Sequence, residues 1–428
     1  MTDGENTVEY LRLRRWIVVV VVSMALCVIG GTASESAARS SAHIKQATKT
    51  VAVKRAVRAK KRVVRGKRVR KVKRRVVRAQ SLKDFEAILL QDAETGQALY
   101  AQESDKAWPT ASLAKMMVGL LAMEAVEKGH VSWQTPVAIS SAARRAGGHT
   151  IHLRVGEVFP FGELVQAMLV FSANDAAIAV AEKLAGSVEN CVLDMNRRAR
   201  ALGMIQTSFQ TPNGMPLRDG TAGDISSAAD MAILARGLIK YPQVLQWTGL
   251  ASVPFRDGQR QLSNTNALVR TLIGVDGLKT GYTNKARFNL VATAQRGDLR
   301  LIAVVLGARS SRVRFRTAAG LLEWGFENFT RLHVLHEGQA LGPEVRVEHG
   351  TVSTLHPVAA RDAVVLVAKK EAADLHVSLS VPPVLTAPIL RHQVLGGAVV
   401  YNHERILTII PALSPWEIPQ ARWLPAWQ

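Results

Sequence analysis

The period of the apolar positions changes several times along the chain. After Phe85, Ala87-Ile88-Leu89-Leu90 and Ala98-Leu99-Tyr100 flank Asp92-Ala93-Glu94-Thr95-Gly96. Two apolar runs around a turn-forming stretch predict a β-hairpin. Pro109-Thr110 opens a segment in which Leu113, Met116, Leu120 and Met123 fall at helical spacing, and Gly129 closes it. Residues 161–170 and 175–184 predict two more helices. Residues 288–294 and 301–306 predict an apolar hairpin joined at Gly297-Asp298, and 318–326 reads as a helix. Strands at both ends with helices between predict one α+β domain over residues 85–330. Residues 331–415 differ. Short apolar or alternating runs at 364–367, 375–381, 398–401 and 406–410, separated by turn residues, predict a small all-β domain.

The 428 residues are 48% hydrophobic, enough for a large core. The formal charge of +21 suggests a polyanion binder until it is located. Residues 45–78 hold 17 Lys/Arg and no Asp/Glu, and subtracting 17 from 21 leaves +4 for the rest. Self-repulsion predicts an extended basic linker over 39–84. Its simplest role is a solvated spacer, and its charge also suits an anionic membrane or wall polymer; nucleic acid is the least favoured ligand. Ahead of it, Arg12, Arg14 and Arg15 precede an apolar run from Trp16 to Gly31, and small residues follow. Residues 1–38 therefore read as a secretory signal, cleaved or retained as an anchor. The implied address is exported, in the periplasmic or cell-wall space, associated with the inner membrane of a bacterium. If the signal is removed, Cys191 has no partner for an internal disulfide. The tail, 416–428, carries Trp416, Trp423, Trp427 and Arg422, which suit a membrane surface, but Pro419 and Pro425 argue against a long amphipathic helix. No internal repeat, P-loop or Cys/His cluster of zinc spacing is present.

Three short motifs follow in order. Ser112-Leu113-Ala114-Lys115 reads S-x-x-K, Ser172-Ala173-Asn174 reads S-x-N, and Lys279-Thr280-Gly281 follows a strand. Residues i and i+3 of a helix share a face, so Ser112 and Lys115 would meet in one pocket. Serine needs a base to become a nucleophile, and Lys115 can serve only when neutral, its pKa depressed by desolvation or by a nearby charge such as Lys279. The bland alternative makes Ser112 a cap and Lys115 a solvated side chain. Ser172 and Asn174 read either as caps of the following helix or as a proton relay and a holder of Lys115. Asp175 would cap or brace the turn. Gly281 admits a close backbone, and a peptide can pair along this strand. Lys279 and Thr280 can hold a terminal carboxylate. The N–H groups of Ser112 and Tyr282 are candidate oxyanion donors. Together the three motifs leave little room for chance.

With their contexts, Trp-Pro-Thr-Ala-Ser-Leu-Ala-Lys-Met-Met (108–117), Phe-Ser-Ala-Asn-Asp-Ala-Ala (171–177) and Gly-Val-Asp-Gly-Leu-Lys-Thr-Gly-Tyr-Thr (274–283), these motifs resemble the serine D-alanyl-D-alanine carboxypeptidases, the low-molecular-mass penicillin-binding proteins. Thr211-Pro212-Asn213-Gly214 and Asn264-Thr265-Asn266 also fit. The resemblance implies a β-lactamase/transpeptidase-like fold, an antiparallel sheet with helices on both faces, followed by a β-sandwich. It implies Ser112, Lys115, Ser172 and Asn174 as catalytic residues and Lys279, Thr280, Gly281, Tyr282 and Arg314 as substrate-binding residues. Arg314 stands where the family places a carboxylate-binding arginine. The implied partners are a peptidoglycan stem peptide ending in D-Ala-D-Ala and β-lactam antibiotics, with no metal and no cofactor. Two stretches depart from the family: Gly147-Gly148-His149-Thr150-Ile151-His152-Leu153 replaces a Ser-rich segment, and Arg287 replaces a small residue.

The implied reaction removes the terminal D-Ala from pentapeptide stems through an acyl-Ser112 intermediate, in cell-wall maturation. A class A β-lactamase needs a glutamate for deacylation, and none lies between Glu189 and Glu323. A D,D-endopeptidase cutting cross-links with the same groups, and a non-enzymatic polyanion-binding envelope protein, are the alternatives.

Overall fold

A computed structural model describes residues 84–216 and 223–422. The expected signal or anchor, the basic tract, Trp423 and Trp427 lie outside the described residues. Among the described residues no helix is long and apolar enough to cross a membrane.

The central sheet has five antiparallel strands: β1 (Ala87–Asp92), β2 (Ala98–Gln102), β3 (Val275–Thr283), β4 (Arg287–Arg296) and β5 (Leu299–Ala308). Their order is β2-β1-β5-β4-β3. The first and last strands of this domain thus meet in the middle of the sheet, where Leu89 pairs with Val304. Both faces of the middle of the sheet are covered, so β1, β4 and β5 are buried on both sides over most of their length rather than alternating with exposed polar residues. One face sends Ala87, Leu89, Leu278, Val291, Ile302, Val304 and Leu306 into a core with α1 (Lys115–Glu127), α2 (Phe161–Gln166), α3 (Asn174–Ala185) and α4 (Ala228–Leu238). The other sends Ile88, Leu90, Leu290, Ala303 and Val305 against Val313, Leu321, Leu322 and Phe326 of α5 (Ser311–Asn328). Alternation of side chains across a strand is what serves two cores from one sheet.

Helix α1 has apolar residues all around its first two turns, and Lys115 through Leu120 are buried. A helix of that kind belongs in the centre of a domain, not on its surface. Gly119 lets it approach the Leu169 side chain, which a Cβ would meet at 2.9 Å. Lys279-Thr280-Gly281, expected to follow a strand, lies inside β3, and β3 is the sheet's edge.

Helix α5 runs directly into β6 (Phe329–Leu335), which pairs with β7 (Ala363–Ala368). The strands β8 (Leu375–Ser380), β9 (Val394–Asn402) and β10 (Arg405–Leu413) join Val358–Ala359 in a second sheet, and a three-stranded sheet completes an all-β unit with its own cores. Ile418, assigned from sequence to the tail, is buried there and bridges Ile389, because its apolar side chain closes the smaller core.

The two units are joined by charge as well as by chain. Arg331 of β6 reaches both carboxylate oxygens of Asp92 at 2.7 and 2.8 Å and also engages Glu94. Its side chain is 4% exposed and that of Asp92 is 0% exposed. Asp92 also accepts the N–H and hydroxyl of Thr95, which shapes the β1–β2 turn. Truncating one partner of a buried pair leaves an uncompensated charge, at a cost of about 3–5 kcal/mol. Arg331→Ala is expected to lower the unfolding free energy by roughly that amount in urea melts, and a loss below about 1 kcal/mol would show the pair to be dispensable.

Candidate active site

Ser112 sits in a single 3-10 turn, Ala111–Ala114, that runs straight into α1. Ala111, just before it, has φ 49, a left-handed conformation unusual for a residue with a Cβ. Neighbouring backbones hold the turn in place. Asn289 of β4, fully buried, donates from Nδ2 to Pro109 O and Thr110 O and accepts the Gly307 N–H. Gly214 has φ +81, and a Cβ there would lie 2.1 Å from Ala111 O. Gly281 of β3 also passes close, since a Cβ there would lie 2.7 Å from Thr110 O.

Lys115 Nζ is fully buried and lies 2.8 Å from Ser112 Oγ, 2.7 Å from Asn174 Oδ1 and 2.6 Å from Asn213 O. Burial pulls its pKa from 10.5 to about 7, against the opposing fields of Asp224 and Asp175. The partners decide the direction of any proton transfer. Asn174 Nδ2 donates to Gly147 O, so its Oδ1 faces the lysine. That oxygen and the Asn213 carbonyl can only accept. A neutral amine has two protons and one lone pair. With its protons given to those two oxygens, its lone pair is left for the Ser112 hydroxyl.

Ser172 and Asn174 come from the break between α2 and α3. Helix α2 widens into a π-turn over Ala167–Phe171, a form frequent at functional sites, and ends at Ser172 in the left-handed region with φ 74. The capping alternative fails for this pair. The N-cap of α3 is Ala173, with no side-chain cap, and Asn174 turns to Lys115 instead. Asp175 braces, accepting the N–H groups of Ile151 and Leu153. It thereby positions the Gly147–Leu153 segment, whose His149 carbonyl takes the Asn174 N–H at 2.7 Å. The His149 imidazole lies against Phe171, with ring centroids 4.2 Å apart and planes tilted by 46°. Its pKa is lowered by burial and by the positive charges of Lys279 and Lys115.

Lys279 is buried, and its Nζ donates to Thr280 O at 3.0 Å. Its pKa falls well below 10.5, first from burial and then from repulsion by Lys115 and Arg314. For the depressed pKa of Lys115 the sequence offered two causes, desolvation or a nearby charge such as Lys279. Burial is the cause, and the mutual repulsion is carried by Lys279. Thr280 Oγ1 donates to Thr265 Oγ1 at 2.8 Å, and the flanking Asn264 and Asn266 hold Thr248 O, Leu250 O and Gly277 O. Arg314, 7% exposed, reaches Asn289 O at 3.2 Å and Gly281 O at 3.4 Å, and its Nε has no partner. Burial lowers its pKa to about 10. Tyr282 is exposed at the end of this group, with its ring against Phe288.

The structure thus unites Ser112, Lys115 and Asn174 through direct hydrogen bonds and brings Gly281 of the Lys279-Thr280-Gly281 strand against the serine turn. Buried cations therefore accumulate around a serine, an arrangement suited to an anionic group held beside an acyl acceptor. Asn289 and Asp224 escaped the sequence reading. Asp224 accepts Gln210 N–H, Thr211 N–H and the Thr211 hydroxyl, and so fixes the loop that offers Asn213 O. No local spacing marks either residue; both act across the fold.

Comparison with known proteins gives matches to family models, to a curated relative and to solved structures. Residues 74–310 match the family model for D-alanyl-D-alanine carboxypeptidase, peptidase S11, and residues 329–420 match that for the C-terminal domain of penicillin-binding protein 5. The chain is 32% identical to the D-alanyl-D-alanine carboxypeptidase DacF of Bacillus subtilis over 343 residues, 79% of this chain and 87% of that one. It superposes on penicillin-binding protein 5 of Haemophilus influenzae with a TM-score of 0.67 at 28% identity, covering 79% of this chain and 98% of that chain. Penicillin-binding protein D2 of Listeria monocytogenes in its ampicillin-bound form matches at 34% identity and a TM-score of 0.52, covering 56% of this chain and 97% of that chain.

Proposed function

The chain belongs to the D-alanyl-D-alanine carboxypeptidase family and is a serine-type peptidase of the cell wall, and on that premise we propose how its own residues carry the reaction. The observation that carries the proposal is the environment of Lys115, with two oxygens that only accept and one hydroxyl that can donate.

Neutral Lys115 takes the Ser112 proton as Oγ attacks the carbonyl of the penultimate D-Ala. The Ser112 and Tyr282 N–H groups hold the developing oxyanion. The stem peptide lies along the outer edge of β3 as an added strand. Thr280, Lys279 and Arg314 receive its terminal carboxylate, and this anion relieves the repulsion among the buried cations. As the tetrahedral centre collapses, the scissile C–N bond breaks. Ser172 relays the proton from Lys115 to the leaving nitrogen, and D-Ala departs. Water, deprotonated by Lys115, then attacks the acyl carbon; the C–Oγ bond breaks and Lys115 returns the proton to Ser112 Oγ. β-Lactams enter by the same acylation. The segment from Gly147 to Leu153, with His149 at its middle, and Arg287 depart from the family and are assigned to side-chain preference in the stem. Catalysis is assigned to residues 85–330, with 331–415 as a separate β domain. Residues 45–78 supply charge for docking on an anionic membrane surface. Salt-sensitive co-sedimentation with anionic vesicles, lost when 45–78 are deleted, is the expected sign; equal sedimentation of the deletion variant leaves a spacer role only.

Fluorescent-penicillin labelling is expected to require Ser112 and to vanish in Ser112→Ala. Mass analysis of a pentapeptide digest should then show loss of one D-Ala. Labelling without D-Ala release, together with cleavage of cross-linked muropeptides, would reassign the enzyme as an endopeptidase. No labelling of the folded protein would contradict the acyl-serine mechanism.

The acylation rate should also depend on pH in one direction. The amine must be neutral, so the rate is expected to be level above about 7, the Lys115 pKa. Below it, the rate should fall about tenfold per pH unit. A penicillin acylation rate unchanged between pH 5 and 8 would exclude Lys115 as the base.

A further inference from the structure

Away from the catalytic centre, the β domain gathers three side chains that sequence spacing does not connect. His333 lies in β6, His336 in the turn that follows, and Asp362 immediately before β7. Pairing of Leu335 with Ala363 brings Asp362 beside that turn. One imidazole nitrogen from each histidine and one carboxylate oxygen lie within 4.8 Å of one another, and all three residues are exposed. The two imidazoles are stacked, with centroids 5.9 Å apart and planes 21° apart. The turn beneath them is held by its backbone. Gln339 N–H donates to His336 O, Gly338 N–H to Ala359 O, and His336 N–H to Gln339 Oε1. Asp362 Oδ1 accepts the Glu337 N–H at 2.8 Å, which orients the carboxylate.

We propose that His333, His336 and Asp362 form a binding site for a borderline divalent transition metal, Zn2+ above all. Two imidazoles and one carboxylate suit zinc, copper or nickel; calcium and magnesium prefer oxygen alone. With zinc–ligand bonds of about 2.0–2.1 Å, tetrahedral ligand atoms stand roughly 3.3 Å apart. Exposed side chains can close from the observed spacing by rotation, which loosens the imidazole stack and leaves Asp362 Oδ2 free to ligate while Oδ1 keeps the Glu337 N–H. Three protein ligands leave the fourth position to water or to a donor from outside the chain. The metal would tie the end of β6 to the start of β7, the first strand pair of the β domain, whose other end carries Arg331 of the inter-domain ion pair. A ligand that binds only the folded state raises its stability. The sequence offered no zinc pattern because His333-x-x-His336 supplies two ligands and only strand pairing supplies the third.

The test uses the full chain, with Zn2+ as the probe, calorimetric titration for affinity and thermal unfolding with and without EDTA. One zinc ion is expected to bind and to raise Tm reversibly. His333→Ala, Asp362→Asn and the size-preserving His336→Gln should each weaken binding roughly tenfold or more and lose the Tm rise. The exposed His130→Ala should keep both. All four variants should label with penicillin at the wild-type rate, which separates this site from the catalytic one. No zinc binding by the wild type, or equal affinity in the wild type and the three site variants, would overturn the proposal.

Discussion

A lysine amine taken wholly out of water is the constraint around which the catalytic unit is arranged. Lys115 stands at the first position of a helix whose first two turns are buried, and its own side chain is fully buried. Its protonated form is penalised, and its pKa drops to about 7. The unfolded chain would hold that proton up to about 10.5, so between the two values the unfolded state binds more protons. This group's contribution to stability therefore rises with pH from about 7 to 10.5, and its penalty is full below 7. On the proposed mechanism, the same burial lets the lysine act as a base at neutral pH. Asn174 and Asn213 then aim it by occupying its protons.

The three motifs, their order and the α+β core were legible in the sequence, since apolar spacing and short chemical patterns are local. The bond between Ser112 and Lys115 follows from i, i+3 geometry and is present. What escaped was produced at a distance. Asp224 acts through a loop, Asn289 through the neighbouring strand, and Asp362 through pairing of β6 with β7. The left-handed Ser172 and the π-turn before it were also invisible, because nothing in Ala167–Phe171 distinguishes a widened turn from an ordinary helix. Lys279-Thr280-Gly281 was placed after its strand for a related reason. Polar residues inside a buried strand look like its end, and only the requirements of a substrate edge explain them.

The edge strand gives the site its access. Edge strands expose unpaired backbone groups and usually invite unwanted pairing. Here the edge lies against the serine turn at Gly281 and its Lys279 is buried; on the proposed mechanism, a peptide that pairs along it presents a carboxylate at one end. This arrangement links the sheet to preference for a chain terminus. The β domain, joined through α5 and the Arg331–Asp92 pair, leaves that edge to the peptidase unit.

The most direct measurement is the titration of Lys115 itself, by carbon-13 NMR of protein labelled at the lysine Cε, with Lys115→Met to assign the resonance. A midpoint near 7 is the expected result. A midpoint near the ordinary 10.5 would mean that Lys115 is charged at neutral pH and is not the base for Ser112.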